Sequence, residues 1–334
     1  MELESFKEYL QERKLTTDNI NAATKIITEF DDFLSKHEKS VEKATYDDLH
    51  NFSAHLIENK KNKYENYLFL LRFGYFKRNK QLIIASMELV DGREMIENFS
   101  TRLINEFGEK IRNEIFDGID VPPLGLHPKK KAEITKILIE RFLAKCDQKK
   151  CKEFLAEGLR DKYTESYERP REIFLETKNI DEFLNIRHQN LIKTLENHLQ
   201  EESLFYTQEI DENVIEYVKS DQTIEAGVRE GNKVIITKIP YMTKQYINET
   251  DKRKKSYYFC HNPWIREAIL EDRPTSPSFS PICHSSGGYY KNFWEAVLDQ
   301  PVKVELLESV IKGDKVCKFA LHLPQEIHHI IEKK

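Results

Sequence analysis

The sequence is poor in cysteine, has no long apolar run and carries little net charge. Only five of its 334 residues are cysteine, and an odd number without a secretory signal fits a reducing compartment better than a disulfide framework. No apolar run approaches the eighteen residues that a membrane-spanning helix needs, and the first residues lack the apolar core of a signal peptide. We therefore expect a cytoplasmic protein with no membrane partner.

Charged residues are abundant but nearly balanced. Asp, Glu, Lys and Arg make up 33% of the chain, yet the net charge is −5. This balance argues against a protein that binds nucleic acid through its bulk charge. The chain is long enough for about two domains, each with a hydrophobic core of its own.

The first two hundred residues have a helical pattern. Apolar residues recur there at spacings of three and four, and Thr45 with Asp48 three positions later predicts a capped helix start. A segment rich in glycine and proline, 117–125, predicts a break before a helix that begins at Pro128.

After residue 206 the pattern changes to short runs rich in β-formers. We predict a turn at 227–231, strands at 233–239, 302–311 and 315–323, and helices at 264–270 and 289–298. The predicted fold class is therefore α+β, with an N-terminal all-helical bundle at 1–82, a helical connector at 83–200 and a C-terminal α+β domain with an antiparallel sheet at 201–334.

The first eighty residues resemble the helical core-binding domain of tyrosine recombinases and phage integrases. The resemblance rests on 6–10, 26–34, 44–49 and 67–76, and covers about a quarter of the chain. Nothing downstream supplies the recombinase catalytic pattern, and fourteen basic residues are offset by fourteen acidic ones. We therefore expect duplex DNA to bind weakly if at all, although basic residues between 60 and 80 could form a local stripe.

Two Cys-His dipeptides, Cys260-His261 and Cys283-His284, lie within twenty-five residues of each other. Thiolate and imidazole both bind soft metals, and both act as nucleophile or base near neutral pH. The dipeptides therefore indicate a chemical site without choosing between catalysis and metal binding.

The C-terminal third is similar to the L-2-amino-thiazoline-4-carboxylate hydrolases and to the related 4-vinyl reductase-type small-molecule-binding domains. The resemblance rests on 260–266, 283–290, 302–308 and 312–319, of which the last two are the most diagnostic. It implies an α+β domain with a ligand pocket between helices and an antiparallel sheet, and it implies that the Cys-His pairs lie close to the last strand.

The same resemblance implies a hydrolase of a cyclic C–N or C–S bond. Such chemistry requires a nucleophile, a proton donor and an anchor for the substrate carboxylate, and Arg266 could be that anchor. Glycines at 287 and 288 could present backbone N–H groups to an anion. The candidate catalytic residues are Cys283, His284, Cys260 and His261, and the candidate ligand-binding residues are Arg266, Trp264, Tyr289 and Glu308.

Three classes of function remain open at this point. The cofactor is unknown at this point, but if Cys260, Cys283 and Cys317 converge beside a histidine they could hold zinc. The first class is a small-molecule-binding protein, with or without hydrolytic activity. The second is a ligand- or metal-responsive regulator whose N-terminal bundle contacts DNA or protein. If the cysteines are separate core residues, a structural or scaffold protein is the remaining interpretation.

Overall fold

A computed structural model describes residues 2–161, 167–270 and 280–325. It confirms the α+β class, because helices dominate and the described strands form one four-stranded antiparallel sheet. The chain divides into two compact units, which we call the N-terminal unit (Met1–Arg93 with Asp120–Lys131) and the C-terminal unit (Glu94–Ile119 with Ala132–Lys334). Within the described ranges, no helix combines the length and the apolar character needed to cross a membrane.

The N-terminal unit is a helical bundle around an aromatic core. Phe30 and Phe52 meet with ring centroids 4.9 Å apart, and all of the core phenylalanines are removed from solvent. The predicted start of the third helix is confirmed as a capping box, because Asp48 accepts from the Thr45 backbone N–H and the Thr45 hydroxyl accepts from the Asp48 N–H. The helices are α1 (Leu3–Glu12), α2 (Thr17–Ser35), α3 (Tyr46–Glu58), α4 (Tyr64–Phe76) and α5 (Lys80–Val90).

The C-terminal unit combines helices from the middle of the chain with the sheet. Helix α8 begins at Pro128, as predicted. The helices that enter this unit are α6 (Met95–Phe107), α7 (Glu109–Ile115), α8 (Pro128–Lys145), α9 (Gln148–Ala156), α10 (Glu168–Thr177), α11 (Ile180–Gln200), α12 (Glu212–Lys219), α13 (Thr243–Asn248), α14 (Lys252–Phe259) and α15 (Gly287–Leu298).

The sheet has the order β1-β2-β4-β3 and all of its pairs are antiparallel. Apolar side chains alternate along β3, where Val304 and Leu306 are buried between more exposed neighbours, as expected for a strand with one face on a core. The strands are β1 (Val228–Glu230), β2 (Lys233–Thr237), β3 (Lys303–Glu308) and β4 (Lys318–His322).

Two local predictions differ from the structure. The segment at 227–231 contains strand β1, because its residues pair with β2 across Gly231, and is not only a turn. The helix predicted at 264–270 is a shorter 3-10 helix, Arg266–Ile269. The predicted strands 233–239, 302–311 and 315–323 correspond to β2, β3 and β4, each shorter than predicted.

The two compact units of the structure differ from the three domains predicted from the sequence, 1–82, 83–200 and 201–334. One apolar cluster joins Phe99, Phe142 and Phe183 of the helical segment to Trp294 of α15 and Ile236 of β2. Most of the predicted connector is therefore part of the core that supports the sheet, because its helices bury their apolar faces there.

Candidate functional site

Three of the cysteines line one small cavity in the C-terminal unit. Cys260 follows α14, Cys283 lies in the 3-10 helix Ser280–Ser286, and Cys317 directly precedes β4. The cavity also contains His261 and Lys238, and its volume of about 20 Å³ is room for one water molecule. We call it the thiol pocket; its remaining lining consists of Asn262, Ile265, Ser286, Leu306, Ile311 and Phe319.

Local hydrogen bonds set the position of each thiol. The Cys260 N–H donates to the carbonyl oxygens of Ser256 and Tyr257, so Cys260 ends helix α14. The Ser309 hydroxyl donates to Cys283 Sγ at 3.1 Å. The Cys317 carbonyl accepts from the Lys238 N–H at 2.9 Å, which extends the pairing of β2 with β4 beyond the strands.

Burial keeps all three thiols protonated near neutral pH. It raises the pKa of Cys260, raises that of Cys283 well above its ordinary value, and raises that of Cys317 to about 12. The neighbouring thiols reinforce the effect on Cys283 and Cys317, since a second negative charge in the same pocket is unfavourable. The thiolate is the reactive form of cysteine, so the pocket does not activate a cysteine nucleophile.

The histidine in the pocket is neutral. Burial lowers the pKa of His261 well below its ordinary value, and its Nε2–H donates to the Ile239 carbonyl at 2.5 Å. An imidazolium that could stabilise a neighbouring thiolate is therefore not favoured.

The other predicted site residues lie outside the pocket lining. His284 is half-buried, and burial lowers its pKa to about 4. Arg266 is buried with its guanidinium 4.1 Å from the Tyr241 ring centroid, and Trp264 belongs to the apolar core. Glu308 forms an ion pair with Lys318 at 2.9 Å.

The sequence predicted that Cys260, Cys283 and Cys317 could hold zinc. Among the residues that the structure describes, no group of three His, Cys, Asp or Glu side chains is placed to hold a metal ion. The three thiols are therefore not arranged as a metal site in the described residues, and zinc binding by them stays an untested prediction.

Close packing explains the glycines at the start of α15. A Cβ on Gly288 would lie 2.3 Å from Gly158 Cα, and one on Gly287 would lie 3.2 Å from a Val304 methyl carbon. Two backbone segments can approach this closely only without side chains. The geometry thus gives these glycines a packing role where the sequence suggested an anion site.

Sequence reasoning missed Lys238 and Arg187. Lys238 continues the two-residue period of Val234 and Ile236, whose side chains are buried, so the same pattern that predicts β2 points its lysine inward. Arg187 is four residues beyond Phe183, on the apolar face of α11. In both cases the sequence signal is a basic residue at a position where the pattern of the element predicts an apolar side chain.

Basic residues of the N-terminal unit are partly neutralised. Lys61 pairs with Glu29 at 2.7 Å, and Lys77 pairs with Glu2 at 3.2 Å. These pairs support a solvated helix face, and the weak binding of DNA stays a prediction.

No family model, curated protein or solved structure matches the chain. The resemblances to the recombinase core-binding domain and to the thiazoline hydrolases therefore remain interpretations of the sequence. A functional proposal has to be argued from the residues of the site.

Proposed function

We propose that this is a small-molecule-binding protein whose C-terminal unit holds its ligand at the thiol pocket. The observation that carries the proposal is that Cys260, Cys283, Cys317 and Lys238, from four separate parts of the chain, line one cavity. Helices and an antiparallel sheet surround it, which is the arrangement that the resemblance to thiazoline hydrolase and 4-vinyl reductase-type domains implies.

Binding is favoured over hydrolysis by the protonation states. A cysteine hydrolase needs a thiolate or a base beside its thiol, whereas burial raises the pKa of Cys283 and lowers that of His261. His284, the other partner proposed for Cys283, is absent from the lining of the pocket. The apolar walls and neutral thiols suit an uncharged part of a ligand.

The pocket must widen to take a ligand. Its volume of about 20 Å³ is far below the several hundred Å³ of a typical ligand site. Cys317 and His261 remain half-buried and not fully enclosed, so the pocket can open on their side without disruption of the core. Ligand binding is then coupled to a local rearrangement.

Protection from alkylation tests the proposal. A fragment library is screened on the full chain by ligand-observed NMR, and each binder is tested for its effect on alkylation of individual cysteines by mass spectrometry. Pocket binders should slow the alkylation of Cys317 and Cys260, whereas Cys146, which follows α8, serves as the matched control. The proposal fails if no fragment binds, or if the binders protect Cys146 as much as Cys317.

A further inference from the structure

One lysine amine belongs to the wall of the thiol pocket. Lys238 directly follows β2 and lines the cavity together with the three thiols. Its backbone N–H donates to the Cys317 carbonyl at 2.9 Å, which fixes the residue beside the segment that leads into β4. The fold therefore brings a primary amine to the cavity that we assign to a ligand.

This amine has no acceptor within the protein. In the part of the chain that the structure describes, no hydrogen-bond acceptor and no carboxylate oxygen lies within bonding distance of Lys238 Nζ. The ring centroids of Tyr289 and Tyr290 lie 5.8 Å and 6.0 Å from it. An ammonium has three N–H donors to satisfy, and burying them without acceptors is costly. The surroundings thus favour a neutral amine.

Burial has opposite effects on the amine and on the thiols of the pocket. It lowers the pKa of Lys238, although Glu225 acts in the opposite direction, and it raises the pKa of Cys260 and of Cys283. In each case the charged form is disfavoured. A neutral amine is a nucleophile, whereas a neutral thiol is not the reactive form of cysteine. Lys238 is therefore the nucleophile that the pocket offers.

A ligand can reach this amine from solvent. Lys238 is half-buried and not enclosed. The Tyr289 ring near its Nζ keeps 47% of that residue's surface exposed. On the cavity side, Leu306 and Phe319 supply apolar lining. A ligand that reacts at Nζ can therefore place a short apolar chain against these two side chains.

An uncharged carbonyl compound suits both the amine and the apolar lining. The lone pair of a neutral lysine amine adds to a carbonyl carbon, and a proton moves from nitrogen to oxygen to give a carbinolamine. The C–O bond then breaks, water leaves and a C=N bond forms, so that no oxidant or reductant is consumed. An aldehyde is favoured over a ketone, because the cavity of about 20 Å³ leaves little room around the reacting carbon.

We propose that Lys238 forms a Schiff base with a small aliphatic aldehyde bound at the thiol pocket. The proposal rests on the proposed function, since the same cavity has to admit the ligand, and it adds a ligand class and a covalent bond. Lysines that form Schiff bases in proteins are typically desolvated in this way.

Butanal with sodium cyanoborohydride tests the proposal on the full chain. Cyanoborohydride reduces the imine to a stable secondary amine, and peptide mass spectrometry then measures the labelling rate of each lysine. Lys238 should be labelled at least about tenfold faster than Lys233, because binding in the cavity raises the effective concentration of the aldehyde at its amine. Lys233 is the matched control, since it lies on β2 and its Nζ is 3.7 Å from a Glu305 carboxylate oxygen. Equal labelling rates of the two lysines would overturn the proposal.

Protection of a thiol shows whether the imine forms in the pocket. Butanal with cyanoborohydride should slow the alkylation of Cys317 in wild type and in Lys233→Met, but not in Lys238→Met. If Lys238→Met does not fold, the wild-type rates of Lys238 and Lys233 decide by themselves. Labelling of Lys238 that leaves Cys317 alkylation unchanged would refute an imine in the pocket.

The two proposals can fail separately. If other fragments protect Cys317 from alkylation while butanal does not label Lys238, the Schiff base is refuted and the thiol pocket stands as a binding site. If no fragment protects Cys317 and butanal does not label Lys238, both proposals fail.

Discussion

Alkylation of Cys317 in the native protein should be about 40-fold slower than in the unfolded chain. Burial raises the pKa of this thiol from 9.0 to about 12, so at pH values well below both the thiolate population falls about 10³-fold. A thiolate of higher pKa is more nucleophilic, which restores a factor of about 25. The two effects together predict an alkylation rate about 40-fold lower in the native protein. Steric protection of the thiol would lower the rate further.

The assay compares pseudo-first-order iodoacetamide modification in buffer and in guanidinium chloride, with the peptide that contains Cys317 quantified by mass spectrometry. The native rate should continue to rise about tenfold for each pH unit between about pH 7 and pH 10, because the thiol is not titrated in that range. A native rate equal to that of the unfolded chain, or a plateau below about pH 9, would refute the reasoning. It would show a stabilised thiolate and restore a cysteine nucleophile as a catalytic hypothesis.

Three further predictions concern stability. Gly288→Ala should destabilise the C-terminal unit by about 1–3 kcal/mol, because the added methyl group would clash with Gly158. The unfolding can be followed by tryptophan fluorescence, because both tryptophans belong to that unit. A gain in stability, which helix propensity alone predicts, would contradict this. Thr45→Ala should lower the unfolding free energy of the N-terminal unit by about 1 kcal/mol, measured by urea unfolding followed by circular dichroism. Thr16→Ala, which removes an exposed helix cap, should lower it less. Burial lowers the pKa of His50 to about 4, so between pH 6.5 and about 4 the unfolded chain takes up a proton that the folded chain does not. The unfolding free energy should therefore fall on acidification by up to about 3 kcal/mol more in wild type than in His50→Phe; parallel pH profiles would rule this out.

The sequence by itself determined the α+β class and most of the secondary structure. The helical spacing before residue 200, the cap at Thr45 and the alternation within β3 involve only residues close together in the chain. Such patterns are local, so they can be read without knowing what packs against each element. The error at 227–231 came where residues next to a turn pair with the following strand β2. The error at 264–270 came where only a short 3-10 helix forms.

Only the tertiary structure decided the chemistry of the site. The sequence marked Cys260 and Cys283 as neighbours in the chain, but their meeting with Cys317 and Lys238 depends on how β2, β4 and the intervening helices pack. The protonation of the thiols depends on burial by residues far away in sequence, which no local pattern encodes. The same holds for Arg187, whose position beside Phe293 arises from the packing of α11 and α15 in one core.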